Sequence, residues 1–216
     1  MVSRILAVIC LLSMFGPAQS LSQQATKAGD LPTPQNQDEM TRAIELSKPG
    51  EHQRWLGRLA GTWEFTGTHF PNNPNEKPIE VKGSCVRKSV WEGRYFLIET
   101  TGERLKMPWS GGKEVAYKDM VIEGYDNVKM KFVRAMIDNH WDTGILNFEG
   151  SYDAATKTIT YDAELEDSPG VKTKTRWLLK LLDNNHYTEE IYYDHNGRLV
   201  KGTEMHFTRV KDRSRL

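Results

Sequence analysis

From Gly61 to about residue 210 the sequence alternates in twos, and this rhythm constrains the fold more than any other feature. Between Thr158 and Glu166, the residues Ile159, Tyr161, Ala163 and Leu165 alternate with Thr160, Asp162 and Glu164. Thr173, Thr175, Trp177, Leu179 and Leu181 alternate in the same way with Lys174, Arg176 and Lys180. Tyr187, Ile191 and Tyr193 continue the pattern, then Met205 and Phe207. Neighbouring side chains on a strand point to opposite faces, so such a segment buries one face and wets the other. An antiparallel sheet is the expected result.

Turn signals divide the region. Asp126-Asn127, Asp153-Ala154-Ala155-Thr156, Asp183-Asn184-Asn185 and His195-Asn196-Gly197 are the clearest. They predict strands near 61–70, 79–91, 94–104, 115–125, 129–139, 143–152, 157–166, 172–182, 186–194 and 199–210. Two connections are longer, 71–78 and 105–114. Strands of roughly ten residues reach about 33 Å, a length normal for tilted barrel staves. A meander of this many strands leaves two open edges unless it closes on itself. The expected fold is therefore all-β: an antiparallel up-and-down barrel of about ten strands, preceded by a short helical segment.

The chain ahead of the barrel reads as three pieces. Arg4, an apolar run from Ile5 to Phe15, the break at Gly16-Pro17 and the small residues Ala18 and Ser20 make residues 1–20 a candidate secretory signal. The run falls short of the roughly twenty apolar residues that span a bilayer, so no stable membrane insertion is expected after cleavage. Export to the periplasm or the exterior is the expectation. Residues 21–37, rich in Gln, Pro and Thr, read as a flexible linker. Residues 38–60 read as short helices closing the barrel: Asp38 caps the first, which carries Met40 and Ile44 and stops at Pro49-Gly50. In the second, His52, Trp55, Leu56 and Leu59 fall on one face. The barrel domain covers 61–210 and a short tail 211–216.

Charge excludes some partners. Lys+Arg and Asp+Glu both number 29, so no basic stripe points to nucleic acid. Signal cleavage would remove Cys10 and leave Cys85, which cannot form an internal bridge and reads as a small buried apolar side chain.

Gly61-Thr62-Trp63, opening the first strand directly after a helix, resembles the Gly-x-Trp signature with which lipocalins begin. The resemblance implies that Trp63 closes one end of the barrel and that a basic side chain from the last strand, here Arg209, covers its ring; such a cation–π contact is worth about 0.5–2 kcal/mol. A wider pattern runs through P-G-E-H at 49–52, L-A-G-T-W at 59–63, G-R-Y-F-L at 93–97 and G-Y-D-N at 124–127. It continues with I-D-N at 137–139, G-S-Y-D at 150–153 and M-H-F-T-R at 205–209. Together these segments resemble the exported bacterial lipocalin-like family known as domain of unknown function 1579. The resemblance covers about residues 45 to 210. It implies a calycin-type barrel and a signal peptide, and it implies no activity.

Signatures of chemistry are sparse. The sequence has no Gly-rich phosphate loop, no G-x-S-x-G elbow and no H-E-x-x-H motif. Asp138, His140 and Asp142 are spaced like the start of a calcium loop, but His is a poor calcium ligand and Thr143 stands where Gly is needed. A tight turn is the expected role, and no metal site is predicted. His186, Glu189 and Glu190 do not share one face of a strand, and His206 points outward. No cofactor is predicted. Haem, as in nitrobindin-like barrels, is the alternative, with His69 on the face of Trp63 and Phe65 as its candidate ligand.

The lumen offers the main functional expectation. Ile159, Tyr161, Leu165, Trp177, Leu179, Ile191 and Tyr193 facing inward make an apolar, aromatic wall in an interior wide enough for a guest. Arg134 shares the face of Phe132 and Met136, and Glu189 shares that of Tyr187 and Ile191. Buried charges must be paired. Either Arg134 and Glu189 neutralise acids and bases within the lumen, or Arg134 meets a ligand carboxylate. Phe132, Arg134, Met136, Tyr161, Trp177, Glu189 and Tyr193 are accordingly the candidate ligand-binding residues, and no catalytic residue is assigned. A barrel binding a small hydrophobic or amphipathic molecule is the favoured reading. The alternatives are an enzyme using Arg134, Tyr161, Glu189 and Tyr193, and an interaction module with a filled barrel.

Overall fold

The computed structural model describes residues 34–71, 75–140 and 144–211. The expected signal segment, the linker up to residue 33, and Asp142 and Thr143 of the calcium-like turn lie outside the described residues. Two helices come first, α1 (Pro34–Ser47) and α2 (Glu51–Gly57). Ten strands follow: β1 (Gly61–His69), β2 (Ile79–Val90), β3 (Tyr95–Lys106), β4 (Glu114–Asp126) and β5 (Lys131–Asp138), then β6 (Leu146–Asp153), β7 (Thr158–Ser168), β8 (Val171–Leu181), β9 (His186–His195) and β10 (Arg198–Arg209). Each strand pairs antiparallel with its neighbours in sequence, and β1 pairs with β10. The sheet is a closed barrel, as the rhythm of the sequence predicts.

The turns form where short polar side chains replace ladder hydrogen bonds. Asp126, Asp153, Asp183 and Asp194 each accept a bond through Oδ1 from a backbone N–H two or three residues on. Closure leaves no free edge, and alternation then sends one face of every strand into a shared core.

The described residues from Met40 onward form one compact unit, and Pro34–Glu39 ahead of it are the first turns of α1. That helix begins earlier than Asp38. Proline at a first helical position costs little, because its missing N–H has no intrahelical partner there, so the Pro34 read as linker starts the helix instead. Met40 and Ile44 remain exposed, at 63 % and 51 %. The end of α1 is held through Asn127, whose Nδ2 donates to the carbonyls of Leu46 and Lys48 at 2.7 and 3.0 Å.

The second helix is the plug. Trp55, Leu56 and Leu59 are buried, and His52 packs on Tyr125 with ring centroids 4.2 Å apart. Gln53, also buried, donates from Nε2 to the Tyr125 carbonyl at 3.1 Å and accepts the Gly50 N–H through Oε1 at 2.7 Å. Trp63 lies beneath, donating from Nε1 to the Leu59 carbonyl at 2.9 Å. Arg209 covers its ring, with Cζ 4.1 Å from the centroid. The same guanidinium donates to the carbonyls of Arg58, Ala60 and Asn184 at 2.6, 2.6 and 2.8 Å. Gly61 sits at φ +139°, and a side chain there would collide with Arg209. One end of the barrel is thereby sealed. No helix among the described residues is long and apolar enough to cross a membrane.

Candidate functional site

Strand parity sends an unusual set of side chains into the lumen. Arg87 of β2, Glu123 of β4, Arg134 of β5, Tyr161 of β7 and Glu189 of β9 are all buried. Glu123 is their hub. Its Oε1 accepts from Arg134 Nη2 at 2.9 Å and from the Tyr161 hydroxyl at 2.7 Å, and its Oε2 accepts from Arg87 Nη2. Glu189 Oε1 lies 3.5 Å from Arg134 Nη2 and 3.8 Å from Arg87 Nη1. Aromatic faces complete the enclosure: Arg134 Cζ stands 4.7 Å from the Tyr161 centroid and 4.6 Å from that of Trp177.

The electrostatics follow from this geometry. Burial works against the charge on Glu123, but Arg87 and then Arg134 outweigh it and hold the carboxyl below its ordinary value. Burial likewise opposes the charge on both arginines, and Glu123 raises them in return. Burial and then Glu123 push the Tyr161 hydroxyl well up, so it remains a donor. Two guanidiniums and two glutamates thus neutralise one another. Each glutamate is committed before any ligand arrives.

Beside the cluster lies a cavity of about 20 Å³, bordered by Cys85, Arg87, Asp119, Arg134, Trp177, Glu189 and their neighbours. One water needs about 10–15 Å³ of such space, so the cavity admits a water or two, or the tip of a larger group. Among the described residues four buried side-chain atoms have no hydrogen-bond partner: Arg87 Nε, Asp119 Oδ1, Thr175 Oγ1 and Trp177 Nε1. Arg87, Asp119 and Trp177 border the cavity, and Thr175 sits two residues nearer the far end on the face of Trp177. Buried polar atoms left unpaired cost about 1–3 kcal/mol each, and three of these four belong to residues bordering one space, which marks it as a site that something polar completes.

Asp119 is the cavity's most perturbed carboxyl. Burial pushes it up to about 6, offset in part by the nearby Thr100 hydroxyl and by the hydrogen bond that the Tyr117 hydroxyl donates to Oδ2 at 3.1 Å. Burial also pushes the Cys85 thiol up to about 11, which makes it a packing residue and not a nucleophile.

Toward the end away from α2 the inward residues are less buried. The inward residues nearest α2 are buried, whereas His69, Tyr117, Asp119, Leu146, Ala163, Leu165, Thr173, Tyr193 and Met205 toward the other end are half-buried. Leu146, Ala163, Leu165, Tyr193 and Met205 pack on the core and leave an apolar wall around the mouth.

The expected site residues distribute along this axis. Arg134, Trp177 and Glu189 border the cavity. Phe132, Met136 and Tyr161 are core, and Tyr193 belongs to the mouth. The expectation of a wide interior is corrected: Trp63, Phe65, Phe96, Phe148, Tyr187 and Phe207, with the two arginines, fill the half of the lumen toward α2. Of the two roles open to Arg134, geometry commits it to Glu123 and Glu189. His69 lies toward the end away from α2, Nδ1 3.2 Å from Thr203 Oγ1, and does not border the cavity. Asp138 accepts from the His140 N–H at 2.7 Å in a turn, and among the described residues no His/Cys/Asp/Glu cluster is placed to hold a metal. His186 and His206 are exposed, His186 pairing with Asp183 and His206 with Glu204.

Arg87, Asp119 and Glu123 escaped the sequence reading. Parity is the one signal that bears on them, since Arg87 shares a face with Cys85, and Asp119 and Glu123 share one with Val121. In β4 that signal is hidden by Met120 and Ile122, which point outward yet are apolar, at 41 % and 53 % exposure.

A ten-stranded meander barrel sealed at one end by a helix, a tryptophan and an arginine is a calycin-type barrel. The chain belongs to the family described as "Protein of unknown function (DUF1579)", whose model matches residues 48–209. Among solved structures, that of Rv2717c from M. tuberculosis is similar at 13% identity and a TM-score of 0.50, covering 76% of this chain and 100% of that one. The S-type phycobiliprotein lyase CPES from Guillardia theta is similar at 9% identity and a TM-score of 0.45, over 76% and 100% of the two chains. These likenesses concern the fold alone. No curated protein matches the chain.

Proposed function

We propose that the protein binds a small amphipathic molecule through the open end of its barrel. The apolar part lies among Leu146, Leu165, Tyr193 and Met205, and the polar end reaches down to the cavity at Arg87, Asp119 and Trp177. The observation that carries this reading is the convergence of unpartnered buried polar atoms on one cavity below a half-exposed apolar wall. The filled half of the lumen sets the depth of the guest and excludes one that spans the barrel. The candidate signal at residues 1–20 supports binding outside the cytoplasm.

Native mass spectrometry of protein purified from its own host tests this. The expected result is a small-molecule adduct that organic extraction removes and that returns when the extract is added back. Protein that carries no adduct, and takes none up from the host's lipid extract, would overturn the reading.

A further inference from the structure

The chemistry of the cavity specifies what kind of polar end it accepts, an inference that rests on the lumen reading above. Among the described residues two guanidiniums, Arg87 and Arg134, face three carboxyl groups, Glu123, Glu189 and Asp119. No positive charge is left over for an anion. Of the unpartnered atoms on residues bordering the cavity, two are donors, Arg87 Nε and Trp177 Nε1, and one is an acceptor, Asp119 Oδ1.

Each class of head group can be set against these three atoms. A carboxylate accepts from the two N–H groups but has nothing to donate to Asp119, and it adds a fourth negative charge beside Asp119 and Glu189. An ammonium donates to Asp119 but leaves both N–H groups unpaired and faces two guanidiniums. An uncharged group that both accepts and donates completes all three atoms, as a water would. We infer that the cavity selects ligands by a neutral head group carrying an acceptor and a donor, that is, an alcohol or a primary carboxamide. The cavity of about 20 Å³ fits the head atoms alone, and the hydrocarbon part extends past Thr175 to the mouth.

Isothermal titration calorimetry of the full chain at pH 8 with octanamide, 1-octanol, octanoate and octylamine tests the inference, because the four probes share one tail. The neutral probes are expected to bind about ten-fold more tightly than either charged probe. Trp177→Phe, which removes one donor and keeps a ring, is expected to weaken octanamide about five-fold. Asp119→Asn, which removes a negative charge, is expected to strengthen octanoate about ten-fold. Octanoate or octylamine binding the native protein as tightly as octanamide would overturn the head-group inference and leave lumen binding standing. No binding by any of the four overturns both readings. The native ranking is measured without either variant, so a variant that does not fold leaves the test decisive.

Discussion

Arg134 Nη2 and Glu123 Oε1 meet 2.9 Å apart inside the barrel, with side chains 1% and 0% exposed. Their strands are adjacent, but the cluster they anchor also takes Arg87 from β2 and Glu189 from across the lumen on β9. Charge thus links walls that no backbone ladder joins. Replacing such a set with well-packed hydrophobic residues can be neutral or better, whereas removing one member strands the others.

Glu123→Gln therefore carries a heavy cost. It leaves Arg87 and Arg134 with Glu189 as their only glutamate and weakens the acceptor for Tyr161. The expected loss is about 3–5 kcal/mol in urea denaturation. Adding Arg134→Met to the variant is expected to recover part of that loss, because one stranded charge disappears. A loss below about 1 kcal/mol for Glu123→Gln would mean that the cluster contributes little to folding.

Stability should also change with pH through Asp119. Its carboxyl moves from an ordinary 3.8 to about 6 in the fold, so the folded chain holds the proton more tightly than the unfolded chain. This group favours folding most below pH 3.8, and its contribution declines as pH rises to about 6, by up to about 3 kcal/mol. Glu123, held below its ordinary value, acts in the opposite sense: its stabilisation is present above the ordinary glutamate value and is lost as pH falls through its folded value. Comparing the native protein with Asp119→Asn separates the two. The variant is expected to gain stability relative to the native protein between pH 4 and 6, measured by urea midpoints across that range. A difference that does not vary with pH would remove Asp119 from the account.

How far the sequence reveals this molecule depends on the length scale. The strands and turns were legible because period-two burial and Asx turns are local, and each needs only a few neighbouring residues. Trp63 and Arg209 could be paired because they open the first strand and end the last, so closure brings them together in register. Arg87 and Glu123 were not legible. Apolar side chains on the outer face of β4 blur its parity, and an ion pair between strands far apart leaves no local periodicity. The filled lumen was hidden for a related reason. Its free volume depends on how rings from opposite walls interdigitate, which no single strand records.

Gly150 offers a direct test of that interdigitation. It stands opposite Tyr161 in the ladder between β6 and β7, and an added Cβ would lie 2.7 Å from the tyrosine ring and 2.9 Å from the Thr160 carbonyl. The second contact is backbone and cannot swing away. Gly150→Ala is expected to cost about 1–3 kcal/mol by overpacking and to disturb the Tyr161–Glu123 bond. In a double-mutant cycle with Tyr161→Leu, the two changes are expected to couple, the pair costing less than their sum. Strict additivity would show that the ring and the glycine do not share the space.

Arg209 seals the end of the barrel opposite the mouth, so its loss should destabilise the fold without changing ligand affinity at the cavity. The side chain donates to three carbonyls and covers the Trp63 ring. Arg209→Ala removes a cation–π contact worth about 1 kcal/mol and leaves the Arg58, Ala60 and Asn184 carbonyls to find water. A loss of about 2–4 kcal/mol is expected in urea denaturation, since hydrogen bonds from a charged group contribute about 1.5–3 kcal/mol. Arg209→Lys keeps the charge but cannot reach three acceptors with a planar fork, so it is expected to restore less than half of the loss. Full rescue by lysine would show that charge over the indole, and not the hydrogen-bonded fork, holds the barrel shut.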